Sequence, residues 1–169
     1  MKKLIVFATL LALLLTAFAG CSDSKSKGGS SSNSSPEAAV ENYVMILYGQ
    51  DEPSKSELKA LYPAAMWEAR GGFDYEDLME ERVETVESRK NEYGDDYKVS
   101  CEILSKEKMD KDMLEEGREA FDEQGLNGKK LTDAYTVEYE ITIKGSKSEN
   151  SWVSSATAFK YEGKWYVGG

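Results

Sequence analysis

Few side chains in this 169-residue chain could do chemistry, and the absences are as informative as the residues present. There is no histidine, which removes the commonest general base near neutral pH and the commonest metal ligand. The two cysteines, Cys21 and Cys101, cannot build a zinc site without further Cys or His partners. Asp74, Glu76, Asp77, Glu80 and Glu81 are dense enough to attract calcium, yet they lack the loop spacing and turn glycine of a calcium hand. They read as the solvated face of a helix. Ser56 and Lys59 have the Ser-x-x-Lys spacing of a penicillin-binding nucleophile, without the partner motifs or chain length of that class. No glycine-rich phosphate loop is present, and Arg70-Gly71-Gly72 reads as a turn. The surplus lies in the aromatics. Trp67, Tyr97, Tyr135, Tyr139, Trp152 and Trp165 are the candidate ligand-binding residues, because Tyr and Trp join an apolar body to a polar handle and such rings line small-molecule pockets. The alternative is that they fill the core.

The other residue with a chemical role is Cys21. Lys2 and Lys3 precede an almost unbroken apolar run from Leu4 to Ala19, too short and too lightly flanked for a membrane span, as in a signal peptide. The run closes in Leu15-Thr16-Ala17-Phe18-Ala19-Gly20-Cys21, which resembles the lipobox of bacterial lipoproteins. That resemblance implies cleavage before Cys21, lipid on its sulfur, and residence on the outer face of the cytoplasmic membrane, in a Gram-positive cell. With Cys21 lipidated, Cys101 has no cysteine to pair with, and stability must come from a packed core.

Residues 1–20 are thus the signal peptide and 21–35 the lipidated cysteine with its tether. Ser22 to Ser35 holds only Ser, Gly, Lys, Asn and Asp, a composition that cannot bury enough surface to order itself. Those 14 residues reach at most about 50 Å when extended and average about 20 Å as a coil. Residues 36–169 are long enough for one core and too short for two ordinary domains. Loss of the leader moves the formal charge from -10 to -12, since Lys2 and Lys3 leave with it. So acidic a chain is not expected to bind nucleic acid, which needs Lys and Arg to displace counterions, or to adsorb electrostatically to an anionic leaflet.

Helix signals open the domain. Ser35-Pro36-Glu37 supplies a cap, a first-turn proline and an acid facing the dipole, and Val40, Tyr43, Val44 and Leu47 repeat at helical spacing until Gly49. Ser54 and Glu57 form a capping box, and residues 64–70 add a turn around Trp67. Asp74 caps a longer helix whose Leu78, Met79, Val83, Val86 and Tyr93 are expected inward, with Glu76, Glu80, Glu84 and Glu87 outward. The period then becomes two, with Tyr97, Val99, Cys101 and Ile103 on one face of a strand. Asp110 opens a helix carrying Met113, Leu114, Gly117 and Phe121. Tyr135, Val137, Tyr139, Ile141 and Ile143 form the buried face of a second strand. In a third, from Trp152 to Tyr161, Trp152, Ala156 and Ala158 compete with Val153 and Phe159 to face inward. Glu162-Gly163 makes a hairpin turn into the last strand, Lys164 to Val167.

Amphipathic strands after a run of helices predict an α+β domain: N-terminal helices on one face of a curved antiparallel sheet of about four strands. This order, the opening Ser35-Pro36-Glu37-Ala38-Ala39-Val40 and the closing Tyr161-Glu162-Gly163-Lys164-Trp165-Tyr166-Val167 resemble the cystatin-like or nuclear-transport-factor-like domains of small bacterial lipoproteins. Fold likeness alone does not assign an activity. With no catalytic or metal-binding set in the composition, the expected function is a non-catalytic, membrane-anchored binding domain for a protein partner or a small apolar ligand, with no cofactor and no metal. Its alternative is an enzyme of the same cone-shaped class, an isomerase or dehydratase, in which Asp133 at a strand mouth would be the base.

Overall fold

The computed structural model describes residues 33–168. The leader, Cys21 and the tether up to residue 32 lie outside the described residues. Helix α1, Pro36–Tyr48, begins where Ser35 Oγ accepts the Ala38 amide at 3.1 Å and ends at Gly49, whose amide donates to Met45 O. Short helices α2, Lys55–Ala60, and α3, Ala64–Ala69, follow. The capping box of α2 is complete: Ser54 Oγ accepts from the Glu57 amide, and Glu57 Oε2 from the Ser54 amide at 2.8 Å. Helix α4, Tyr75–Tyr93, starts on Asp74, whose carboxylate accepts the amides of Glu76 and Asp77.

Four strands then form one antiparallel sheet in the order β1-β2-β3-β4: β1 is Lys98–Lys108, β2 Leu131–Lys144, β3 Glu149–Tyr161 and β4 Lys164–Gly168. Helix α5, Lys111–Glu123, sits between β1 and β2, capped by Asp110. The β3–β4 turn places both Glu162 and Gly163 at positive φ, 51° and 81°, as a two-residue hairpin requires. Between β2 and β3, Gly145 approaches α4 so closely that a Cβ there would stand 2.1 Å from Tyr93 O. Any side chain at this position would force the loop away from the helix.

Successive residues of a strand face opposite sides of the sheet, and both sides are used. Val99, Val137, Tyr139, Ile141, Ile143, Ala156, Ala158, Trp165 and Val167 pack on Ala39, Val40 and Val44 of α1. Leu131, Ala134, Phe159 and Tyr161 pack on Phe121 and Leu126, with the Phe121 and Phe159 rings edge to face at 5.6 Å. The N-terminal helices therefore hold one face, while α5 covers one end of the other. The competition within β3 resolves the same way: Trp152, Ala156 and Ala158 serve the α1 core, Phe159 serves α5, and Val153 is exposed. A third cluster joins Ile46 and Leu47 of α1 to Leu58 and Leu61.

One expectation for α4 fails. Val83 is 55% exposed, and Leu78, Met79 and Val86 are only half-buried; the buried residues are Arg82, Arg89 and Tyr93. The last residues of a helix leave carbonyls without partners, and α4 crosses α1 at that end. Arg82 Nη2 donates to Gln50 O at 2.6 Å and Nη1 to Leu47 O at 3.3 Å, while its methylene stem fills apolar space. Val83, one residue on, is turned toward water. Burial lowers the Arg89 pKa to about 10, still above any physiological pH, so it too is buried as a cation. Among the described residues no helix is long and apolar enough to cross a membrane.

Arg82→Ala removes two charge-assisted hydrogen bonds and uncovers two carbonyls, which should destabilise the domain by about 2–4 kcal/mol. Val83→Ser should change stability by less than about 0.5 kcal/mol. Urea unfolding of the two variants measures both, and the reverse ranking would mean that Val83, and not Arg82, faces the core.

Candidate functional site

Strand register brings charged and aromatic side chains together at one end of the α1 face. A bulge between Ile103 and Ser105 in β1 reverses the alternation that the first half of the strand follows. Past it, Lys106 stands opposite Val137 and Lys108 opposite Tyr135, so both lysines share the side of the sheet that packs on α1. Farther along the same side, Asp133 stands opposite Lys160 in the regular β2–β3 register, and Lys160 stands opposite Trp165 in β4; a second bulge, between Leu131 and Asp133, shifts only Leu131. Bulges commonly re-aim side chains next to functional sites. Here the β1 bulge turns Lys106 and Lys108 onto the face where Asp133 and Lys160 already stand by regular alternation.

The resulting platform has an aromatic floor and a charged rim. The Tyr135 and Trp165 rings meet at 5.6 Å with a 64° tilt. Lys106 and Lys108 hold their ammonium groups 5.8 and 5.6 Å from the Tyr135 centroid, and Lys160 holds its own 5.7 Å from the Trp165 centroid, within reach of cation–π attraction. Lys106 also pairs with Glu37 in the first turn of α1, and Lys108 pairs with Asp133 at 2.9 Å. The hydrogen bond from Lys106 holds the Glu37 carboxyl below its ordinary pKa, and Asp133 raises that of Lys108. Lys160 has no carboxylate partner among the described residues. Asn33 Nδ2 donates to Trp165 O at 2.9 Å, and Asn42 Nδ2 donates to Asn33 Oδ1, so the chain enters the domain beside this platform.

Of the six candidate aromatics, only Tyr135 and Trp165 meet there. Trp67 is buried among Tyr62 and Phe73, at 5.2 and 4.8 Å, with its Nε1–H donating to Lys59 O. Tyr97 is fully buried and its hydroxyl reaches Asp51 Oδ1 at 3.5 Å. Tyr139 is a core residue whose hydroxyl pKa burial raises, and Trp152 is half-buried against Tyr48 at 6.1 Å. None of the six lines the cavity of about 250 Å³ bounded by Met66, Ala69, Arg70, Gln124 and Leu126, which is small for a ligand pocket.

Asp133, the residue considered as a base, is engaged by Lys108 at the sheet's end. Cys101 is half-buried on the α1 face, and burial pushes its thiol up to about 11, far from a reactive thiolate at neutral pH. Among the described residues no three of His, Cys, Asp and Glu are grouped to hold a metal ion. The lysines and Glu37 are absent from the sequence-based candidates. The signal for two of them is Ser105-Lys106-Glu107-Lys108, an alternation that continues β1 beyond Ile103.

The Lys106–Glu37 pair makes a pH-dependent contribution. Because the folded-state pKa of Glu37 is depressed, its stabilisation is present above the unfolded value of about 4.3 and is lost as pH falls through the lower folded value. Solvent screening keeps it below about 1 kcal/mol. The stability gap between the native protein and Glu37→Gln, measured by denaturant titration, should therefore be small at pH 7 and close between about pH 5 and pH 3. A gap that widens on acidification would contradict the pairing.

Compared with known proteins, the chain matches no protein-family model, no curated protein and no solved structure, so the reading of the platform rests on its own chemistry.

Proposed function

We propose that the protein is a lipid-anchored domain on the outer face of the cytoplasmic membrane that binds a protein partner through its surface and catalyses no reaction. The observation that carries the anchoring is the apolar run Leu4–Ala19 closing on Ala19-Gly20-Cys21, followed at once by a tether of small polar residues. More than one acyl chain on Cys21 would give stable attachment, at roughly 0.8 kcal/mol per buried methylene. Two features favour surface recognition over a small apolar ligand. Trp67, Tyr97 and Tyr139 are packed into the core, and the cavity between α3 and the end of α5 is bounded by only five residues, Arg70 and Gln124 among them. Acidic side chains crowd the exposed sides of α4 and α5, so a protein partner would offer Lys and Arg at its rim.

Intact mass of the protein extracted from the membranes of a Gram-positive host tests the anchoring. The expected species begins at Cys21 and carries a lipid adduct, and Cys21→Ser should move the protein into the medium. An unmodified Cys21, or full membrane retention of Cys21→Ser, would overturn it.

A further inference from the structure

We infer that the platform formed by Lys106, Lys108 and Lys160 over Tyr135 and Trp165 is a docking surface for the anionic headgroups of the membrane that holds the chain. This rests on the lipid-anchored reading above and names what the platform faces. Eleven residues lie between Cys21 and Asn33, so the anchor lies within about 40 Å of Asn33 even at full extension. Asn33 is bonded to the backbone of Trp165. The anchored end of the chain and the lysine-bearing end of the sheet are therefore the same end of the domain.

The chemistry of the platform fits phosphate. Lys106 and Lys108 share one carboxylate each, with side chains 45% and 59% exposed. An ammonium has three donors, so each lysine keeps hydrogen-bonding capacity for a phosphate oxygen after its ion pair is made. Lys160, with no carboxylate partner among the described residues, leaves the cluster with a cationic excess over Glu37 and Asp133. The rings of Tyr135 and Trp165 lie under the three ammonium groups, and aromatic and lysine side chains together suit a membrane interface.

The formal charge of -12 left after loss of Lys2 and Lys3 from -10 does not forbid this contact, because repulsion decays over a Debye length of about 8 Å and the nearest groups dominate. The acids of the C-terminal half of α4, Glu84 and Glu87, belong to the other end of the molecule. There Tyr93 O accepts from the amide of Lys147, and Glu92 O from Ser148 Oγ, in the β2–β3 loop. The acids of α5 lie on the opposite face of the sheet at the platform's own end, so the sheet stands between them and the surface that the platform meets. Attraction at the platform and repulsion of the α4 acids at the other end both turn the platform toward an anionic surface.

The test is lysine acylation of the full-length lipidated protein, read residue by residue by mass spectrometry on vesicles of phosphatidylcholine alone and of phosphatidylcholine with phosphatidylglycerol. Labelling of Lys106, Lys108 and Lys160 should slow about fivefold on the anionic vesicles and recover in high salt, while Lys55 and Lys98 label at unchanged rates. Lys160→Gln should reduce the protection of Lys106 and Lys108. Equal rates on both vesicles, equal slowing at Lys55 and Lys98, or equal protection by soluble glycerol phosphate would overturn the inference. Flotation of the same samples reads the anchor separately. A chain that floats without protection refutes only the docking surface, and one that does not float removes the anchoring and the docking together.

Discussion

The apolar stripe of α1 laid across all four strands is the contact on which the rest of the domain depends. Val40 and Val44 are completely buried, each worth about 2 kcal/mol of transfer free energy. Their partners come from β1 through Val99, from β2 through Val137, Ile141 and Ile143, from β3 through Ala156 and Ala158, and from β4 through Val167. With Cys101 free and no partner cysteine after residue 21, no covalent staple can replace that packing. The alanines of β3 have a structural reason: a helix seated across a sheet needs small side chains where its axis comes closest, and larger residues where the surfaces diverge.

Seating α1 in this way fixes the direction of its two ends, and each end creates a separate requirement. Its C-terminal carbonyls face α4, which meets them with Arg82. The buried charge is a consequence of orphan helix carbonyls, not a candidate for catalysis. Its N-terminal turn faces the end of the sheet where β1 and β2 carry their bulges, and there Glu37 meets Lys106. A first-turn carboxylate favoured by the helix dipole also holds a lysine on the platform. The position of the platform is thus set by where α1 begins.

Local rules made much of this fold legible in the sequence. Ser35, Ser54 with Glu57, Asp74 and Asp110 all cap the helices they announce, because capping is decided within four residues. The Glu162-Gly163 hairpin and the alternation of β2 are equally local. What failed was non-local. Nothing local marks Arg82 for burial, which depends on the carbonyl end of α1 beside it, and Val83 reads as core although it is turned outward. The β1 bulge changes the parity of every residue after Ile103, so Leu104 emerges at 47% exposure while Lys106 and Lys108 turn to the α1 face. No pattern of twos predicts where the count slips by one. The candidate aromatics were separated for a related reason: ring identity is visible in a sequence, but which rings end up neighbours depends on register.

The same limit applies to charge. Composition describes a strongly acidic chain, and from composition alone an anionic surface is an unfavourable neighbour. Composition is an average over the whole surface, whereas electrostatic contact is local on the scale of a Debye length. One bulge in β1 is enough to bring Lys106 and Lys108 to the face that already carries Lys160, with their ammonium groups over the Tyr135 and Trp165 rings. In the proposed docked state, the acidic excess elsewhere would act as an orienting force rather than a veto. A tether that only held the domain near a surface would leave it free to turn. In the proposed anchored state, the lysines of the near end and the α4 acids of the far end would turn the domain one way and present the acidic side of α4 to a basic partner protein.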